Sequence, residues 1–209
     1  NLSLKNVAGS PIAGLGVFIK ELLKEGSLAV SPPLGGETAK PVTKPAMPAT
    51  EFMPALRYVN KATGNIYHTF ADKIDERKFS STVVPKVYDA YFGNNGQSVI
   101  MRYLKDDKTI ETFIGALQKE YLGADSVGTN EVAGSFLPEN ISDLSLSPDT
   151  SKIFYLFNIE DSAVGITFSL QTNAKVQIFD SPFTEWLSFW GNSKVITVTT
   201  KPSANVPGY

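Results

Sequence analysis

The sequence predicts a mainly β protein assembled from repeated antiparallel meanders, and three observations carry that prediction. Aromatic residues are abundant, with 13 Phe, 8 Tyr and 2 Trp in 209 residues, and they concentrate after residue 50, as expected of packed strands. Short apolar runs alternate with tight polar turns such as Gly93-Asn94-Asn95-Gly96. A strand, turn, strand arrangement also recurs, its second strand opening at Val99, at Ile153 and at Val195.

From the start of the chain, residues 6–19 carry no charge, a run shorter than the ~20 residues that cross a bilayer. Leu15, Phe18, Leu22 and Leu23 repeat at the spacing of one helical face, so residues 12–25 are expected to form a short packing helix stopped by Gly26. The alternative is the exit end of a membrane anchor lying upstream of Asn1. Residues 1–30 are read as an N-terminal apolar, helical segment. Over residues 31–54 the composition changes: Pro32, Pro33, Pro41, Pro45, Pro48 and Pro54 stand among Gly, Thr, Ala and Lys. Such a stretch lacks the backbone donors for a ladder and the side chains for a core, which predicts an extended linker. Residues 55–209 are then the β domain.

Within it, residues 55–59 and 65–70 flank Lys61-Ala62-Thr63-Gly64 as a hairpin, and the charged stretch 73–78 reads as a solvated excursion. Residues 87–92 lead through Gly93-Asn94-Asn95-Gly96 into 98–104, and Asp106-Asp107-Lys108 turns the chain into 109–117. The same design returns at Leu146-Ser-Pro-Asp-Thr-Ser-Lys-Ile-Phe-Tyr-Leu156 and at Phe189-Trp-Gly-Asn-Ser-Lys-Val-Ile-Thr-Val198. The openings lie 54 and 42 residues apart. Assigning about a dozen residues of 119–135 to an insertion brings the period to ~40–45, the range of a β-propeller blade.

Strand composition supports stacking of such units. Residues 153–157 are apolar at every position, and 186–190 put Trp186 and Trp190 on one face with Leu187 and Phe189 on the other. A strand apolar on both faces must be covered on both, and radially packed blades provide that cover. Residues 55–209 hold about three to four blades of that period, whereas closed propellers have about four to eight. Completion of the ring is therefore expected from further C-terminal sequence, a second chain or another copy.

The stretch Leu146-Ser-Pro-Asp-Thr-Ser-Lys-Ile153 resembles the blade opening of TolB-like and WD40-like propellers, with Thr150 where those families usually carry Gly. Asp180-Ser-Pro182 followed by Trp186 and Trp190 resembles the passage from one blade to the next. Residues 55–70 and 136–208, including Thr199-Thr-Lys-Pro-Ser203, are similar to uncharacterised membrane-anchored propeller-like proteins of ultra-small candidate-phylum bacteria. The resemblance implies an incomplete propeller at the cell envelope or extracellular surface. It transfers no activity and no catalytic residue.

Composition narrows the function classes further. A net charge of −2 from 19 basic and 21 acidic residues, without a basic block, argues against nucleic acid as a partner. Without cysteine there are no disulfides, thiolate metal sites or thiol nucleophiles. His68 is the only histidine, so a Ser/His/Asp triad or His-based metal site would have to use it. It sits in a strand pattern and reads as a structural residue. The pairs Asp106-Asp107 and Glu160-Asp161 could act as glycosidase carboxylates or Ca²⁺ ligands, but both fall at expected hairpin tips, where exposed carboxylates are ordinary. Asp149 belongs to a turn, binding nearby backbone N–H groups. Gly93-Asn94-Asn95-Gly96 lacks the Lys and Ser/Thr of a phosphate loop, and Asn140-Ile141-Ser142 matches a glycosylation acceptor too short to be specific. Tyr58, Tyr67, Tyr88, Tyr91 and Tyr103 are candidates for a recognition surface, with core packing the competing use.

The expected function is non-enzymatic: a binding or scaffold protein with a protein partner or self-association, and with no catalytic, cofactor or metal residues assigned. A propeller hydrolase completed by missing sequence and a subunit of a larger extracellular or virion-like assembly are the alternatives.

Overall fold

The computed structural model describes residues 6–23, 50–70, 76–118 and 130–202. Fourteen strands and no helix occur among them, arranged in four antiparallel sheets. The first contains β1 (Ile12–Leu23), β2 (Thr50–Asn60), β3 (Ile66–Phe70) and β4 (Arg77–Lys78) in sequence order. The second contains β5 (Val87–Gly93), β6 (Ser98–Leu104), β7 (Ile110–Ala116) and β8 (Ala133–Phe136). In the third, β9 (Ile141–Leu146), β10 (Lys152–Ile159), β11 (Ser162–Ser169) and β12 (Lys175–Ser181) repeat the meander. The fourth is a hairpin of β13 (Trp186–Asn192) and β14 (Val195–Thr200).

The expected N-terminal helix is a strand. Ile12–Leu23 pairs with Thr50–Asn60, Phe18 opposite Ala55 and Ile19 opposite Pro54. The spacing of Leu15, Phe18 and Leu22 suits a helical face, but Ile12, Val17 and Ile19 are β-branched and Gly14 and Gly16 are weak helix formers. The two glycines have a tertiary reason. A Cβ at Gly14 would lie 1.9 Å from the Ala90 carbonyl oxygen, and one at Gly16 would lie 2.7 Å from Cβ of Phe92. Bare backbone is what lets β1 lie against β5. The first residues of β2, 50–54, fall within the stretch expected as linker. Residues 31–49 of that stretch, together with the proposed stop at Gly26, lie outside the described residues.

The turns follow their sequence signals. Between β5 and β6, Asn94, Asn95 and Gly96 have φ of 50°, 51° and 76°, the left-handed conformations that Asn and Gly tolerate best. Between β9 and β10, the Asp149 carboxylate accepts the Ser151 N–H at 3.1 Å and the hydroxyls of Ser147 at 2.6 Å and Ser151 at 2.8 Å. Of the expected insertion, residues 119–129 lie outside the described residues, while Ala133–Phe136 is the edge strand β8.

The sheets stack face to face. Successive residues of β6 enter different cores: Val99 and Met101 pack with Val59, Ile66 and Phe79 between the first and second sheets. Ile100 packs with Ile141, Ile153 and Tyr155 between the second and third. Ile153, Phe154, Tyr155 and Leu156 of β10 are all fully buried, because the third sheet lies between its two neighbours. Opening strands meet at two junctions, β1 against β5 and β9 against β13, while β7 meets β9 between the second and third sheets. Val99, Ile153 and Val195 thus begin strands in three separate sheets.

Candidate interaction surfaces

At the last hairpin the expected two-sided cover fails. Trp186, Ser188 and Trp190 turn toward the third sheet, where the Asp143 carboxylate accepts the Ser188 N–H at 2.5 Å and its hydroxyl at 2.7 Å. Leu187 and Phe189 point the other way with Val195, and Phe189 is 69% exposed. Val176 and Ile178 of β12 are exposed as well.

The opposite end of the stack mirrors this. Gly14, Gly16 and Phe18 face the second sheet, so the alternate residues Leu15, Val17 and Ile19 face outward, Val17 with 73% exposure. Phe52 lies two positions along β2 from Pro54, the partner of Ile19, and shares that face at 71% exposure. Val7, Val17, Pro54, Leu56 and Thr69 surround an apolar hollow there. The apolar positions lie on the β1–β2 side of the first-sheet face; toward β4 the same face carries Lys78 opposite Tyr67, and Glu76 accepting from Tyr58. A monomeric protein rarely leaves a contiguous apolar patch open, and larger ones mark contact sites.

A second groove runs along the ends of β5 and β6. Tyr88, Leu104, Ile110 and Val87 form its floor, with Lys61 and Lys86 at the rim. Lys86 pairs with Asp106, and Lys105 reaches Glu111 at 3.1 Å, so those cations are neutralised by neighbours. Tyr88 is 37% exposed and lies under the Arg102 guanidinium, 5.4 Å from the ring centre.

The other residues singled out from sequence are placed as follows. His68 is buried on β3 between the rings of Phe70 and Phe79, at 5.6 and 5.9 Å. Asp106 and Asp107 form the β6–β7 tip, where Asp107 accepts the Thr109 N–H and that bond holds its carboxyl below the usual range. Glu160 and Asp161 form the β10–β11 tip, and Glu160 has φ of 53°. Asn140 accepts the Ile110 N–H at 3.0 Å through its side chain, a local strand-to-strand clasp. Among the described residues, no three His, Cys, Asp or Glu side chains are grouped to hold a metal ion.

Beside Tyr88 under Arg102, the other four tyrosines are also engaged within the protein. Tyr58 stacks on Tyr67 at 5.6 Å and donates to Glu76 at 2.6 Å. Tyr91 donates to Asp89 at 2.9 Å, and Tyr103 donates to Glu111. Burial, reinforced by the acceptor carboxylate, raises the pKa of Tyr58, Tyr91 and Tyr103, the last to about 12. Sequence reasoning missed the buried Arg57 and Arg102. The Arg57 guanidinium lies between the rings of Phe18 and Phe79 at 4.7 and 4.6 Å and donates to the Gly96 carbonyl. Arg102 Nη2 donates to the Ile141 carbonyl at 2.7 Å and joins the second sheet to the third.

No protein-family model matches the chain, and no curated protein matches it. No helix among the described residues is long and apolar enough to cross a membrane.

Proposed function

We propose that this chain is a non-enzymatic binding or scaffold protein whose β domain is an incomplete propeller, working by protein contact through the outward faces of its first and last sheets. The observation that carries the reading is the pair of outward faces with exposed apolar side chains: Leu15, Val17, Ile19 and Phe52 at one end, and Leu187, Phe189 and Val195 at the other. Three four-stranded meanders followed by a hairpin, with β1 against β5 and β9 against β13, support the propeller assignment. The sequence likeness to membrane-anchored propeller-like proteins supports a place at the cell envelope or extracellular surface.

The test is site-directed photo-crosslinking in cells producing the protein. A benzophenone side chain at position 17 or 189 should yield a discrete adduct with protein, whereas the same group at the hairpin-tip position 160 should yield none. Adducts no stronger at 17 and 189 than at 160 would remove the proposed surfaces.

A further inference from the structure

We infer that the partner of each outward face is the other outward face on a second copy of this chain, so that copies associate head to tail. The inference rests on the reading that these faces make protein contacts, and it names the occupant.

The stack has a direction. Sheet one buries its following face on sheet two, sheet two buries its following face on sheet three, and sheet three buries its following face on the β13–β14 hairpin. Among the described residues, what remains open is the preceding face of the first sheet and the following face of the last. Those two are the halves of the contact made three times inside the chain, so a second copy continues an established packing scheme. Pairing either face with itself would instead set preceding against preceding, or following against following, a relation the molecule uses nowhere.

Composition agrees. The first-sheet face offers aliphatic side chains, Leu15, Val17 and Ile19, with the large ring of Phe52 to one side. The hairpin offers Leu187 and Val195 around Phe189. The named positions carry no charge that would need a partner on contact, and alternating ring and branched aliphatic groups are what sheet faces interdigitate. A contact between two different faces of identical chains closes as a ring where the rotation permits. Two such chains place eight sheets in one circle, twice the four of one chain.

The experiment is a complementation in solution with the full chain. Val17→Asp and Phe189→Asp each put a carboxylate into one half of the contact at a site already exposed, and circular dichroism with thermal unfolding confirms that each variant keeps its fold. By sedimentation velocity the unaltered protein should run at two copies or more, and each variant alone at the monomer mass of 22.7 kDa. For the Val17→Asp contact the dissociation constant should weaken at least about tenfold, as should that for Phe189→Asp, because each buries an unpaired charge. An equimolar mixture of the two variants should regain a dimer, since the intact hairpin of one still meets the intact first sheet of the other.

Three results would overturn the inference: an unaltered protein that stays monomeric, a dimer abolished by only one substitution, or a mixture that remains monomeric. An adduct at position 17 or 189 with a different protein, beside a monomeric chain, would refute self-association while leaving the wider binding function standing.

Discussion

The hydroxyl of Thr150 accepts the backbone N–H of Asn95 at 3.1 Å across 55 residues, and the Thr150 carbonyl accepts the neighbouring Asn94 N–H at 2.5 Å. Two turns, one from the second sheet and one from the third, are thereby docked. Thr150 holds φ of 58°, a strained conformation for a β-branched residue. The side chain of Thr150 thus spans from the third sheet back to the second.

Replacement of Thr150 separates its two effects. Thr150→Ala keeps most of the strain and loses the hydroxyl bond, which should cost about 1 kcal/mol. Thr150→Gly loses the same bond but relieves a left-handed strain of about 1 kcal/mol, so it should be close to neutral. Urea midpoints measure both; a neutral Thr150→Ala would show that the hydroxyl bond contributes nothing to stability.

Gly14→Ala distinguishes strand from helix by sign. In a helix, alanine should stabilise by about 1 kcal/mol over glycine. Against Ala90 the added methyl has no room, and overpacking should destabilise by about 2–3 kcal/mol. Thermal unfolding of Gly14→Ala beside Val83→Ser, a loop site that is 62% exposed and expected within about 0.5 kcal/mol of the parent, reads the difference.

Arg102 is 7% exposed, donates to the Ile141 carbonyl and lies 3.5 Å from Asp89. Arg102→Ala removes one partner of a buried ion pair and strands a carbonyl, for an expected loss of about 3 kcal/mol. Arg102→Met keeps the bulk of the stem and should lose less. Equal losses in chemical denaturation would mean that the charge and its hydrogen bonds, not packing of the stem, carry the residue.

Acid should weaken the β9–β10 turn. Hydrogen bonds from Ser147 and Ser151 hold the Asp149 carboxyl below its usual range. A folded pKa beneath the unfolded one gives stability that is complete above the unfolded value of ~4 and is lost as pH falls through the folded one. Asp149→Asn should flatten that acid limb; a stability-against-pH curve identical to the parent's between pH 5 and about 2 would refute the contribution.

At high pH the sign reverses for Tyr103. Burial first, and its bond to Glu111 second, raise the phenol to about 12. Its contribution is complete below the unfolded value of ~10 and is lost as pH rises toward the folded one. Difference absorbance of the phenolate, compared between the parent and Tyr103→Phe, should show one tyrosine missing from the late-titrating group.

Local signals were readable where a short segment decides its own conformation. Asn94 and Asn95 accept positive φ on their own, Asp149 finds its donors within two residues, and the runs 98–104 and 152–159 are too apolar on both sides to face water. Half of the candidate surface was readable in the same way, because the alternation of Trp186, Leu187, Ser188 and Phe189 divides two faces. Which face stays open was not, since that depends on what the fold brings against it.

The amino-acid order by itself determined the β class, the turns and the need for sheets covered on both sides, all properties of residues near one another in the chain. Only the tertiary structure decided that 12–23 is a strand, because Leu15, Phe18 and Leu22 satisfy a helical period while the space beside Ala90 and Phe92 admits only bare backbone. It likewise decided that Val17, Phe52 and Phe189 face outward, for burial belongs to the arrangement of whole sheets and is carried by no single segment.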